Sequence, residues 1–235
     1  MYLTKNQAKE LSQLLKTFFA LPYSTDLDGK DAEYLLRTVK SINGPLSKRK
    51  ELFDLIDGEV GYSVKTLRKN PQALRVDLQE QRFCDVDEIR RMLASGAEDS
   101  KAQGRILLMY MRGRIVDQMK GRGIKVAKSA ILLKWWDKER KHYSFRYWEE
   151  NFLGYLDHLW ERNENGEIEW VLQPRGVHAR DTMRQDAKGN SVRLLRMHYK
   201  HNQIFTDHDI PEDAVQIEFD VKRVELKELA AFLKL

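Results

Sequence analysis

The sequence contains one cysteine, Cys84, and five prolines among 235 residues. A single cysteine excludes an internal disulfide and any zinc site that needs several cysteines. No stretch approaches the roughly 20 consecutive apolar residues of a membrane-spanning helix. The first residues, MYLTKNQAKEL, lack the basic segment followed by an apolar segment that marks a secretory signal. We therefore expect a cytoplasmic protein without a membrane partner.

Nucleotide-binding glycine patterns are also missing, since Gly121-Arg-Gly123 is too short to form a phosphate loop. What the chain does contain is charge: 33% of its residues are charged and 42% are hydrophobic, with a net charge of +5. This balance is typical of a globular domain with a sizeable core. The positive charge is compatible with a polyanionic partner such as nucleic acid, although charge alone does not identify one.

Helical periodicity dominates the first half of the chain and strand patterns dominate the second. Thr4 and Gln7 form a capping box for a first helix, and further helices are predicted over 31–42, 85–96, 102–119, 151–162 and 224–235. Strands are predicted over 130–136, 143–148, 167–172, 192–199, 204–206 and 215–221, with a long polar loop at 173–190. With no convincing linker, we predict one domain over 1–235, with a strand-rich half near 124–221. The predicted class is α/β, a central mixed sheet flanked by helices.

The most informative stretch is KELFDLIDGEVGYSVKTL, residues 50–67, in which two apolar runs flank Gly58-Glu59. A tight turn at these two residues makes a β-hairpin in which Asp54 faces Ser63 and Leu52 faces Lys65. Strand alternation then places Phe53, Leu55, Tyr62 and Val64 on one side, suited to a core. Asp54, Ser63 and Lys65 share the other side.

A carboxylate and an ammonium on one hairpin face suit phosphodiester hydrolysis. An Asp supplies the oxygen ligands that Mg²⁺ prefers, and a neighbouring Lys can orient the attacking water and stabilise negative charge. The alternative is an ordinary solvated cross-strand pair that contributes a fraction of a kcal/mol, about 0.2–1.

The arrangement Asp54-x8-Ser63-Val64-Lys65 resembles the PD-(D/E)XK nuclease superfamily and, within it, the type II restriction endonucleases. The resemblance implies a restriction-endonuclease-like fold and Mg²⁺-dependent, sequence-specific cleavage of double-stranded DNA by a homodimer. Asp54 would bind the metal and Lys65 would position the water. The sequence departs from the family pattern at Phe53, which is not proline, and at Ser63, which replaces the second carboxylate.

A second metal-binding carboxylate must then come from elsewhere in the chain. Glu33 on the preceding helix and Asp77 or Glu80 beyond the second strand are the candidates, with Glu33 and Asp77 preferred. Asp57 and Glu59 lie too near the tip of the hairpin.

Two basic segments are candidate DNA contacts. The polar stretch 173–190 carries residue types that read base edges in the major groove, namely Arg175, His178, Arg180, Arg184 and Gln185. Lys48, Arg49, Lys50, Arg68 and Lys69 bracket the hairpin and suit phosphates. The polar stretch is equally compatible with a solvated surface loop, whereas the position of the second group beside the proposed site favours contact with DNA.

Other patterns give weaker functional indications. His198, His201 and His208 hint at a metal or HNH-type site, but their spacing favours alternation along a strand. The five tryptophans can stack on bases, yet at strand positions they are more typical of core. The rival functions are a non-catalytic nucleic-acid-binding protein and a repair or junction nuclease of the same fold.

Overall fold

The structure is a computed structural model that describes residues 2–43, 52–79, 85–96, 99–200 and 203–232. Within these ranges the chain forms six helices and ten strands. The helices are α1 Lys5–Ala20, α2 Gly29–Val39, α3 Val86–Gly96, α4 Ser100–Lys120, α5 Phe152–Glu164 and α6 Leu226–Phe232. The strands are β1 Leu55–Asp57, β2 Val60–Arg68, β3 Arg75–Gln79, β4 Val126–Trp136, β5 His142–Asn151, β6 Ile168–Gln173, β7 Gly176–Gln185, β8 Ser191–His198, β9 Gln203–Asp209 and β10 Val215–Asp220.

Local capping chemistry sets the helix starts. Thr4 caps α1 in a capping box with Gln7, as predicted. Helix α2 begins earlier than predicted, because Asp28 accepts a hydrogen bond from the Asp31 backbone and forms a second capping box. It also ends earlier, at Val39, because Ser41 adopts a left-handed backbone conformation with φ of 55°.

Five of the described strands form a mixed sheet in the order β1-β2-β4-β5-β10. Strands β2 and β4 are parallel, and the other neighbours are antiparallel. The connection from β2 to β4 includes α3 and α4. This confirms the predicted α/β class with a mixed sheet flanked by helices.

The other five described strands form a separate antiparallel sheet in the order β3-β9-β8-β7-β6. Sequence patterns do not distinguish this sheet from the mixed one, and the predicted loop over 173–190 is wrong. Strand β7 occupies most of that stretch, with Val177 and Ala179 buried and the alternate residues His178 and Arg180 facing outward. His178 and Arg180, two of the polar residues that indicated a loop, lie on the outward face of this strand.

Three hydrophobic clusters hold the layers together. Helices α1 and α2 pack on one side of the mixed sheet, its back face, where Leu55, Tyr62 and Val64 lie. The opposite side, the front face, carries Ser63, Lys65, Ser129, Ile131, Trp148 and Glu150 along three adjacent strands. Its apolar residues pack against β3, and α4 and α5 fill the space between the front face and the antiparallel sheet.

The predicted placement of Phe53 on the same face as Leu55 and Tyr62 is wrong. Phe53 joins the cluster of α4 and α5 rather than the cluster of Leu55 and Tyr62. The chain is irregular before β1, so strict alternation does not extend back to Phe53. Its ring instead covers Gly61, where a Cβ would lie 2.6 Å from the Phe53 Cδ1.

At Gly104, α4 packs closely against α5 and β6. A Cβ at this position would overlap the Asn163 Oδ1 and the Trp170 Nε1, which hydrogen-bond each other at 2.8 Å. We expect Gly104→Ala to lower the free energy of unfolding by about 1–3 kcal/mol through overpacking. Urea unfolding measures this loss, and Gly113→Ala on the same helix, where a Cβ meets open space, is the control. Equal stabilities of the two variants would contradict the packing described.

Candidate functional site

The β1–β2 hairpin has the predicted register. Leu55 pairs with Tyr62, Ile56 with Gly61 and Asp57 with Val60, around a turn in which Gly58 has φ of 55°. Asp54 stands just before β1, and its backbone N–H donates to the Tyr62 carbonyl at 2.8 Å. The turn at Gly58 sets the register of the hairpin, and this register places Asp54 next to the middle of β2.

The Asp54 carboxylate is held by the backbone of the neighbouring strand. Its Oδ2 accepts a hydrogen bond from the Val64 N–H at 2.8 Å, and the residue is 7% exposed. The side chain thus takes the place of a main-chain acceptor at the edge of β2. This contact fixes the orientation of the carboxylate.

Lys65 lies on the front face, as Ser63 does, and reaches the antiparallel sheet. Its ammonium donates to the Gln79 carbonyl at the end of β3 at 3.0 Å. Ser63 is buried beside its register partner Ser129 on β4. Lys65 therefore links the β1–β2 hairpin to the antiparallel sheet.

One carboxylate on the front face was missed by the sequence reasoning. Glu150 on β5 is the register partner of Ser129, so it continues the row that begins at Ser63. Its Oε2 lies 2.5 Å from the Nδ1 of His208, whose Nε2 lies 2.8 Å from the Thr206 hydroxyl. Only the strand order reveals this row, because Glu150 is far from the hairpin in sequence.

The two preferred candidates for the second metal-binding carboxylate, Glu33 and Asp77, do not lie beside Ser63 and Lys65 on the front face. Glu33 is on α2, whose buried side packs against the back face, so it is on the other side of the sheet from Ser63 and Lys65. Asp77 on β3 is 3.2 Å from the Lys69 ammonium and 2.6 Å from the Arg196 guanidinium. Burial alone would raise the pKa of Asp77, but the hydrogen bond and charge of Lys69, with the charge of Arg196, lower it.

These positions do not fit the predicted magnesium site. Among the residues that the structure describes, no three His, Cys, Asp or Glu side chains are arranged to hold a metal ion. Asp54, Glu33 and Asp77 are therefore not assembled into one ligand set, and Asp77 is already neutralised by cations. Glu80, the other candidate, lies outside the described residues.

The predicted base-reading residues come together on one surface, the outer face of the antiparallel sheet. His178, Arg196 and Phe205 are register partners across three strands, and the residues between them face the core. Two open cavities of about 820 and 930 Å³ lie on this face. Arg180, Arg184 and Gln185 line the first cavity, Arg175 lines the second, and His178 lines both.

The predicted phosphate contacts beside the hairpin do not share one surface. Lys69 reaches Asp77 at the edge of the outer face, whereas the Arg68 guanidinium lies 4.1 Å from the ring centre of Trp136, which is packed on the back face. Adjacent strand residues point to opposite sides, and this separates the two cations. Lys48, Arg49 and Lys50 lie outside the described residues.

His198 and His208 lie apart, and three of the five tryptophans belong to the core. His198 lines a cavity of the outer face, whereas His208 is buried towards the mixed sheet, so the two do not form one metal site. His201 lies outside the described ranges. Trp136, Trp148 and Trp170 are buried in the core.

Ion pairs organise the outer face, and sequence reasoning missed most of their members. Arg184 binds Asp209 through two hydrogen bonds of 2.8 and 3.1 Å, and Arg75 lies 2.8 Å from the same carboxylate. Arg193 lies 2.6 Å from Asp207. Burial lowers the pKa of His178, and the nearby charges of His198 and Arg180 lower it further.

The chain was compared with known protein families, curated proteins and solved structures. The chain matches no protein-family model, no curated protein and no solved structure. In the described part of the chain, every helix is too short or too polar to cross a membrane.

Proposed function

We propose that the protein is a magnesium-dependent, sequence-specific endonuclease of double-stranded DNA, of the type II restriction kind, acting in the cytoplasm as a homodimer. The observation that carries the proposal is the position of Lys65. It shares the front face with Ser63, lies one strand from Asp54, and contacts the edge of a sheet whose outer face is rich in arginine and histidine.

Lys65 and Asp54 have distinct roles in this proposal. Hydrolysis adds water to phosphorus and breaks one P–O ester bond, so negative charge builds up on the phosphoryl oxygens. The Lys65 ammonium stabilises that charge and orients the water. Asp54, fixed by the Val64 N–H, supplies the carboxylate beside it. The magnesium requirement rests on the resemblance alone, because the described residues do not make up a ligand set.

The outer face of the antiparallel sheet supports DNA as the substrate. It offers guanidinium groups at Arg175, Arg180 and Arg184, which bind phosphates and the major-groove edge of guanine. Strand β3 belongs to this sheet and also contacts Lys65. A duplex bound on the outer face would therefore approach the hairpin.

A non-catalytic DNA-binding protein is the second candidate. Two observations favour it: an oxygen of the Asp54 carboxylate is already bonded to the Val64 backbone, and Asp77 is paired with two cations. The outer face would then bind DNA without cleaving it.

Incubation with plasmid and long linear DNA, in Mg²⁺, Ca²⁺ or EDTA, separates the candidates. We expect discrete fragments in Mg²⁺ and none in EDTA. Binding without cleavage in any metal would support the second candidate and overturn the first. A smear, or cleavage confined to branched substrates, would indicate a repair or junction nuclease.

The same assay identifies the missing carboxylate. We expect at least one of Glu33→Gln, Asp77→Asn, Glu80→Gln and Glu150→Gln to lose on the order of 100-fold or more in single-turnover cleavage rate. The loss should fall on Glu80 or Glu150, because Glu33 is behind the sheet and Asp77 is neutralised. Retention of full activity by all four variants would contradict a second acid in the site.

A further inference from the structure

The two cavities of the outer face differ in charge. The first is lined by four arginines and four aspartates, and several of these residues pair: Arg184 and Arg75 share Asp209, and Arg193 meets Asp207. Both partners of each pair line this cavity. It therefore offers hydrogen-bond donors and acceptors side by side with little net charge.

The second cavity contains cations without acids. Among the described residues that line it there is no Asp or Glu, whereas six basic or imidazole side chains contribute: Arg90, Arg175, Arg196, Lys200, His178 and His198. Of these, Arg196 is paired with Asp77, which lines the first cavity instead and also binds Lys69. Arg175 and Lys200 are both exposed at the rim.

Aromatic rings support two of these guanidinium groups. Arg196 lies 4.2 Å from the ring centre of Phe205, and Arg90 lies 4.5 Å from that of Tyr199. A guanidinium stacked on a ring keeps its N–H donors in a plane directed away from the apolar surface. The second cavity is thus lined with oriented donors suited to anionic oxygens.

We infer that the two cavities of the outer face bind different parts of DNA. This inference rests on the proposed binding of DNA. The second cavity, whose described lining has no acid, holds phosphates of the DNA backbone, and the first cavity contacts base edges. Phosphates select net positive charge, whereas base edges present both donors and acceptors and are read by paired Arg and Asp groups. Arg175 and Lys200 then determine affinity, and Arg184 with Asp209 determines sequence preference.

The salt dependence of binding tests the first half of this inference. A fluorescent duplex pool with random sequence is titrated in EDTA between about 50 and 200 mM salt. We expect Arg175→Ala/Lys200→Ala to reduce the slope of log K against log salt by about 1.8, since each phosphate contact contributes about 0.9. Arg184→Ala should leave the slope unchanged, because that guanidinium is already bonded to Asp209 through two hydrogen bonds.

A matched double variant controls for net charge. Lys9→Ala/Lys30→Ala removes two exposed charges from α1 and α2, on the back of the mixed sheet, and should leave the slope unchanged. An equal fall in slope for both double variants, or no fall for Arg175→Ala/Lys200→Ala, would overturn the assignment of phosphates to the second cavity.

Sequencing of the bound fraction tests the second half. We expect the wild-type protein to enrich a preferred site, Arg184→Ala and Asp209→Asn to relax it at specific positions, and Arg175→Ala/Lys200→Ala to preserve it. An unchanged preference in Arg184→Ala and Asp209→Asn would overturn base reading by the first cavity. Because EDTA prevents metal-dependent cleavage, absence of nuclease activity overturns the proposed function without affecting these outcomes.

Discussion

Replacement of Lys65 by alanine is expected to lower the single-turnover rate of DNA cleavage by on the order of 10²–10³-fold. In the proposed mechanism the variant removes the ammonium that stabilises phosphoryl charge, while Asp54 keeps its bond to the Val64 N–H. DNA affinity in EDTA should change little, because the outer face keeps its guanidinium groups.

Lys125→Ala is the control for this prediction. Lys125 is an exposed lysine that pairs with Glu59 at the tip of the same hairpin, 2.6 Å away. It should cleave at the wild-type rate. Normal cleavage by Lys65→Ala would move the active site away from this hairpin, even if the protein is a nuclease.

Glu149→Ala should lower the free energy of unfolding by about 3–5 kcal/mol, more than Gly104→Ala or Glu139→Ala. The Glu149 carboxylate lies 2.6 Å from the Lys40 ammonium and 2.8 Å from that of Lys128, and it accepts a hydrogen bond from the Tyr147 hydroxyl. Its side chain is 3% exposed, and that of Lys40 is 11% exposed. Alanine leaves two ammonium groups close together without a counterion.

Urea unfolding measures this loss, and Glu139→Ala provides the contrast. Glu139 pairs with Lys141 on the β4–β5 hairpin, but both side chains are largely exposed. Exposed pairs contribute about 0–1 kcal/mol, so this variant should unfold close to the wild type. Similar losses in the two variants would contradict the burial of the Glu149 network.

The dependence of stability on pH gives a second measure of the same network. Burial would raise the pKa of Glu149, but the hydrogen bonds of Lys128 and Lys40 hold it below its ordinary value of 4.5. The folded-state pKa is thus below the unfolded one, so this stabilisation is present above about pH 4.5 and is lost as the pH falls through the folded value. Glu149→Gln should show a shallower loss of stability on acidification.

Features that depend on neighbouring residues were predictable from the sequence. The capping box at Thr4 and Gln7 and the register of the β1–β2 hairpin both follow from a few adjacent side chains and one turn. Strand patterns also located β4, β5 and β8 to within a few residues. Local rules failed at Phe53, because its packing is decided by α4 and α5 rather than by strand alternation.

Features that depend on strand order were not predictable. The row from Ser63 to Glu150 exists only because β4 lies between β2 and β5. Asp77 meets Arg196 across 119 positions of sequence, and such contacts are set by the packing of whole sheets. Polarity was interpreted as a loop at 173–190, although a sheet with one solvated face also requires polar residues at alternate positions.

The two candidate catalytic side chains also protect the rims of the sheets from other chains. Asp54 occupies the N–H of Val64 on β2, and Lys65 occupies the carbonyl of Gln79 on β3, an edge strand of the antiparallel sheet. Unpaired main-chain groups at strand edges are templates for intermolecular pairing and aggregation. Substitution at either position therefore leaves a main-chain group unpaired at a strand edge, where a second copy of the chain could pair with it.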